Sequence, residues 1–208
     1  MNVKNFSCII IFLTFFILKG QTKDELLARD INGLMEEMQF MYAYDQALRE
    51  YPKYQTFDKS ETNRLESLAD SSTTKEVVHY ESISDSLEEF IFKEYINPKD
   101  ALHTKRMIEI IKRYGFPDIS RINKFYSKSF KDVEFKPYLL LIHSPKEFWD
   151  ELKFLLKQEY DQGRMSQCTF GYLLWHISGR ESFQPMIDNG YKLVQENGKT
   201  ILKSTCNQ

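Results

Sequence analysis

From Lys23 to Glu50 the apolar residues Leu27, Ile31, Leu34, Met38, Met41 and Leu48 recur at steps of four and three. That spacing keeps one stripe of a 3.6-residue helix apolar, so the segment is expected to form a long amphipathic helix buried along the stripe. One member of the series is replaced by Asp45. A carboxylate at a buried seam costs on the order of several kcal/mol unless it is paired. Arg49, one turn later, is the nearest partner.

The remaining pattern is also mostly helical. Tyr51 to Lys75 is polar and reads as a loop around a short helix at 60–68. Ile83–Ile96 has helical character. Asn97-Pro98 then supplies an N-cap and a first-turn proline to a helix through Ala101, Met107, Ile108, Ile110 and Ile111, which stops at Gly115. Ile119–Phe125 and Pro137–Ile142 read as two short helices. Ser144-Pro145-Lys146-Glu147 fits a capping box ahead of an apolar face made by Phe148, Trp149, Leu152, Leu155, Leu156 and Tyr160, ending before Gly163. His143 is then the residue before the cap, where a side chain packs on the fourth helical residue, Phe148. A last helix covers Ser166 to Ile177. Tyr191–Gln195 and Lys199–Lys203 alternate in polarity around Asn197-Gly198, the pattern of a β-hairpin. The fold class expected is mainly α: an irregular multi-helix bundle forming one domain over 21–208. Within it, 51–75 is a polar loop region and 190–204 a small C-terminal β-hairpin.

The N-terminus changes the setting. Phe6 to Leu18 is apolar apart from Ser7, Cys8 and Thr14, shorter than the roughly 20 residues a membrane-spanning helix needs. With Gly20 at a cleavable position, residues 1–20 read as a signal peptide removed before Gln21. An uncleaved anchor is the alternative. No cysteine follows the run at a lipidation position, so the mature chain is expected in the periplasm or outside the cell, free of the membrane. Loss of Lys4 and Lys19 makes the formal net charge of −2 two units more negative. Such a surface offers no electrostatic attraction to nucleic acid or anionic lipid. Cys168 and Cys206 remain. Export permits a bridge that would tie down the tail, and the alternative is one buried and one loose thiol.

Most catalytic signatures fail on spacing. Gly198-Lys199-Thr200 has Leu193 where a phosphate loop needs its first glycine. Ser72-Thr73-Thr74-Lys75 lacks the partner motifs of penicillin-recognising enzymes. No histidine pair lies one helical turn apart and there is no paired Cys-x-x-Cys, so neither a metal site nor a cofactor is expected. The candidate residues are Asp45, Arg49, His143 and His176. His176 shares a helix face with Tyr172 and Thr169 and reads as a satisfied interior histidine. His79 and His103 fall on faces expected to be exposed.

Asp45-Gln46-x-x-Arg49, then Asp100, then Tyr114-Gly115-Phe116-Pro117, then an apolar run into His143 resembles a family of bacterial domains of unknown function, often exported. Its motifs are Asp-Gln-x-x-Arg, a Tyr-Gly-Trp-Pro or Tyr-Gly-Phe-Pro turn, and Gln-His after an apolar helix. The resemblance spans about residues 27–180 and marks Asp45, Arg49, Gly115, Pro117 and His143. The chain departs from the pattern with Ile142 in place of Gln and with Trp175-His176 in place of an Asp-Arg pair. The resemblance implies a helical fold and export but no activity. Two function classes stay open. One is an exported binding or interaction module for a protein or small-molecule partner. The other is a small hydrolase-like enzyme using His143 as general base, oriented by Asp45, with Arg49 or Tyr172 stabilising charge. The enzyme requires Asp45 and His143 to meet beside one concave pocket.

Overall fold

The computed structural model describes residues 21–71, 83–129, 135–196 and 198–206. The segment 1–20, with its expected signal peptide, lies outside them, as do Ser72-Thr73-Thr74-Lys75, His79 and Asn197. The fold is mainly helical and ends in a two-stranded hairpin, as the periodicity implies. Among the described residues no helix is long and apolar enough to cross a membrane.

Helix α1 runs Lys23–Tyr54. It opens with a capping box in which Thr22 Oγ1 accepts from the Glu25 amide at 3.2 Å and Glu25 accepts from the Thr22 amide at 2.7 Å. Its stripe is buried as expected from Leu27 to Asp45, with Met35 and Tyr42 added, while Leu48 is only half-buried. The short helix expected at 60–68 is present as α2, Lys59–Ser71, but the loop expected before it is shorter, because α1 continues through Pro52 and ends with Gln55 in the left-handed region. Pro52 and Tyr54 are both buried, so packing outweighs the proline's missing donor.

Helix α3, Asp85–Ile91, passes through a single wider π turn, Phe92–Ile96, into α4, Asn97–Tyr114. The expected break at Asn97 is absent because Asn97 itself has helical dihedrals, φ −56 and ψ −42. The π turn falls just ahead of Pro98, whose ring nitrogen has no proton for an i−4 carbonyl. Helix α5 is Ile119–Phe125, and the short helix expected at Pro137–Ile142 is a 3-10 turn, Pro137–Leu141. A second 3-10 turn, Lys146–Phe148, leads into α6, Trp149–Asp161. Then come α7, Gln167–His176, capped by Ser166, and a single-turn helix α8, Gln184–Ile187.

The core lies where α1, α4, α6, α7 and the Pro137–Leu141 turn meet, with Met35, Met38, Met107, Ile110, Ile111, Leu152 and Leu156 at or near zero exposure. Strands β1, Tyr191–Glu196, and β2, Lys199–Ser204, pair antiparallel with Tyr191 opposite Ser204 and Glu196 opposite Lys199. A disulfide joins Cys168 of α7 to Cys206, just past β2. It resolves the open choice between bridge and free thiols, and it holds the hairpin on α7. Gly171 lets α8 and the turn after it approach α7, since a β-carbon there would sit 2.6 Å from the Asn189 side chain.

Candidate functional site

Asp45 and Arg49 face the same way one turn apart on α1, and the guanidinium reaches across to α4. Arg49 Nε donates to Asp45 Oδ1 at 2.9 Å and Nη2 donates to Asp100 Oδ1 at 2.5 Å. Gln46 donates to the other Asp45 oxygen at 2.9 Å. Both carboxylates are more than nine-tenths buried. Burial pushes the Asp100 carboxyl above its ordinary range, and Asp45 adds to this against the opposing pull of Arg49. One cation between two buried carboxylates compensates their desolvation only in part.

Asp100 opens onto a cavity of about 540 Å³ that His143, Ser144, Lys146, Trp149, His176 and Arg180 also line. His143 follows the Pro137–Leu141 turn, which packs on α1 and α4 and so carries the ring to the Arg49 end of the network. Burial first, then the charges of Arg49 and Arg180, lower His143 to about 4, with Asp45 pulling the other way. The ring is therefore uncharged near neutral pH. No hydrogen bond reaches it from the described residues. Asp45 spends its oxygens on Arg49 and Gln46, so the Asp45–His143 orienting bond of the enzyme reading is not formed.

The expected capping role for this segment is corrected. Ser144 caps nothing. Its hydroxyl donates backward to the Leu141 carbonyl at 2.6 Å, and its own carbonyl accepts from Trp149 Nε1 at 2.8 Å. The helix entry is a 3-10 turn with no side-chain cap. Phe148 packs toward the core with Lys105 Nζ over its ring at 5.8 Å. His143 therefore belongs to the cavity wall rather than to a helix staple.

His176 is interior, as expected, but it is not satisfied. It is 7% exposed and neither ring nitrogen has a hydrogen-bond partner among the described residues. Tyr172 and Trp175 pack edge to face against it, with centroids at 4.6 and 4.8 Å. Burial, Arg180 and His143 lower it to about 4. Arg180 follows Gly179 in a tight turn and holds φ +60, a conformation that costs a non-glycine residue roughly 1–3 kcal/mol. Its guanidinium lies 6.0 Å from the Trp175 ring.

His103 corrects another expectation. It is 9% exposed, buried on α4 against Tyr44 of α1 with ring centroids 6.4 Å apart. Asp100 could have been found from the sequence, because 100, 104, 107 and 111 form the same seam spacing that singles out Asp45. Arg180 carries no such signal, since it stands in an irregular turn.

The Tyr-Gly-Phe-Pro motif lies in a different part of the fold and is scaffold. Gly115 has φ +77, and a β-carbon there would sit 2.8 Å from the Arg121 and Arg164 side chains. Arg121 donates to the Phe116 and Tyr114 carbonyls at 2.6 and 2.8 Å, while Glu159 accepts from the Phe116 amide at 2.9 Å. Glu159, 1% exposed, also binds Lys23 and Arg164. Nothing in the α6 spacing singled it out. Among the described residues no three of His, Cys, Asp or Glu are grouped so as to hold a metal ion. Comparison with protein-family models, with curated proteins and with solved structures finds no match for this chain.

Proposed function

We propose that the chain is an exported helical protein that binds a small polar ligand between His143 and His176. The observation that supports this most is the His176 ring, more than nine-tenths buried on a cavity wall with both nitrogens unpartnered. Leaving a buried polar group unpaired costs about 1–3 kcal/mol, and a native structure rarely retains one without a reason. A ligand offering one acceptor and one donor would complete it once a shift of the ring turned its covered nitrogens toward the cavity. The resemblance marks Asp45, Arg49 and His143, which form or back the same wall. The apolar run Phe6–Leu18 supports export.

A hydrolase-like reading draws support from the meeting of His143, Asp100 and Arg180 in one cavity. It is the weaker of the two, because a general base works best with a pKa near the operating pH and His143 is lowered to about 4.

Thermal shift with small carboxylic acids, amides and inorganic phosphate tests the binding reading. At least one of these probes should raise the melting temperature of the native chain and leave His143→Phe and His176→Phe unmoved. If no probe shifts the native chain while His176→Phe melts higher than native, the unpartnered ring is only a packing defect and the reading falls. Turnover of p-nitrophenyl acetate that His143→Phe abolishes would favour the enzyme instead.

A further inference from the structure

A second cavity, of about 600 Å³, opens farther toward the N-terminal end of α7, between α5, the Pro137–Leu141 turn and the hairpin. Its volume falls in the range of roughly 300–1,000 Å³ that holds small ligands. Three tyrosines from separate elements face it: Tyr138 from the 3-10 turn, Tyr172 from α7 and Tyr191 from β1. Tyr138 and Tyr172 meet edge to face with centroids 5.6 Å apart. This leaves an angled aromatic wall rather than a closed cage. Burial raises all three phenols above their ordinary range, and Tyr172 and Tyr191 each sense neighbouring phenols. None of the three hydroxyls has a hydrogen-bond partner among the described residues. All three side chains are half-buried and none of their hydroxyls is among the fully buried polar atoms, so the phenols are reachable by a ligand in the cavity.

We propose that this cavity binds a neutral, polyhydroxylated ligand of pyranose size. The charges on its rim decide the class. Asp118 and Lys136 both line it, so an anion meets a carboxylate and a cation meets an ammonium. Asp118 already accepts from the backbone amides of Ser120 and Ser166, so both of its oxygens are engaged by the chain itself. What remains is aromatic surface alternating with hydroxyl and amide groups, Ser120, Asn123 and Thr169 among them. The apolar face of a sugar ring lies flat on a tyrosine, and its hydroxyls take up phenol groups that the protein leaves unpaired. The Cys168–Cys206 disulfide borders the same cavity and fixes the hairpin's Tyr191 relative to the α7 Tyr172, so the binding wall is held in one arrangement before a ligand arrives.

Saturation-transfer NMR on the disulfide-intact chain tests this. The probes are methyl glucoside, methyl galactoside and methyl N-acetylglucosaminide, with phenyl phosphate and tetramethylammonium as charged controls. At least one glycoside should receive saturation. Tyr191→Ala should weaken its binding by about tenfold, corresponding to the loss of one ring contact of about 1.4 kcal/mol. Tyr191→Phe should keep most of the ring contact, and Glu147→Ala, an exposed position that lines neither cavity, should leave glycoside binding unchanged. The proposal is overturned by transfer to none of the glycosides, by stronger transfer to either charged control, or by glycoside binding that Tyr191→Ala does not alter.

Discussion

Arg49 of α1 and Asp100 of α4 are joined by a 2.5 Å hydrogen bond between Nη2 and Oδ1, and this bond ties α1 to the wall of the His143 cavity. Because the same guanidinium also holds Asp45, the three side chains act as a unit. Substitutions within such a unit are not additive.

Removing one member should show which is central. Asp45→Ala leaves Arg49 with Asp100 and should cost about 3 kcal/mol, the lower end for a broken buried pair. Asp45→Asn retains the acceptor and should cost less. Arg49→Met strands two buried carboxylates and should cost the most of the three. Urea unfolding orders them, and a neutral Arg49→Met would mean that the carboxylates find solvent without it.

The backbone around Ser144 offers a second separation. The Ser144 hydroxyl bonds the Leu141 carbonyl rather than a helix amide, so Ser144→Ala should lower stability by about 1 kcal/mol through that bond. Glu147 is exposed and closes no capping box. Glu147→Ala should therefore be neutral within roughly 0.5 kcal/mol. Comparable losses in both variants, measured by thermal melts, would restore the capping box.

Hydrophobic periodicity gives the long helices because it reports burial directly: α1, α4 and α6 bury the faces that their spacing marks. The site is legible in part, through Asp45 breaking an apolar stripe. Asp100 obeys the same logic one helix later. The capping box at Ser144 misleads because the four-residue pattern is local, while the preceding 3-10 turn offers Ser144 a nearer acceptor at Leu141. Glu159 and Arg121 escape notice for the opposite reason. Their partners, Lys23, Arg164, Asp24 and the Phe116 backbone, are mostly remote in sequence, and no local spacing encodes them.

That remote network makes a third prediction. Glu159 is lowered to about 2, with burial opposed chiefly by its bonds to Arg164, Lys23 and the Phe116 amide. Glu159→Ala would leave Arg164 and Lys23 without their buried partner and should cost about 3–5 kcal/mol. Glu159→Gln, which still accepts from the Phe116 amide, should lose less. Equal losses in the two variants would assign the whole effect to charge and none to the amide bond.

Acid should weaken the fold in a window set by the two cavity histidines. His143 and His176 are each lowered to about 4, against about 6.5 in an unfolded chain. Between those values the unfolded chain binds protons that the folded chain does not, so stability rises with pH across the window. It is complete above the unfolded value and is lost as pH falls toward 4, by up to about 3 kcal/mol for each ring. His103, lowered by burial, acts in the same direction. Asp100, raised by burial, acts in the opposite direction near the bottom of the window. Glu159 contributes only below about 4.5, where the unfolded glutamate begins to protonate. Urea unfolding of the native chain at about pH 7 and about pH 5 should therefore differ more than the same pair of measurements on the His143→Phe/His176→Phe double variant. The variant should gain most of its relative stability at the lower pH. An identical pH slope in the two proteins would mean that both rings protonate in the folded state as readily as in the unfolded chain, and that Arg49 and Arg180 lie too far away to hold them neutral.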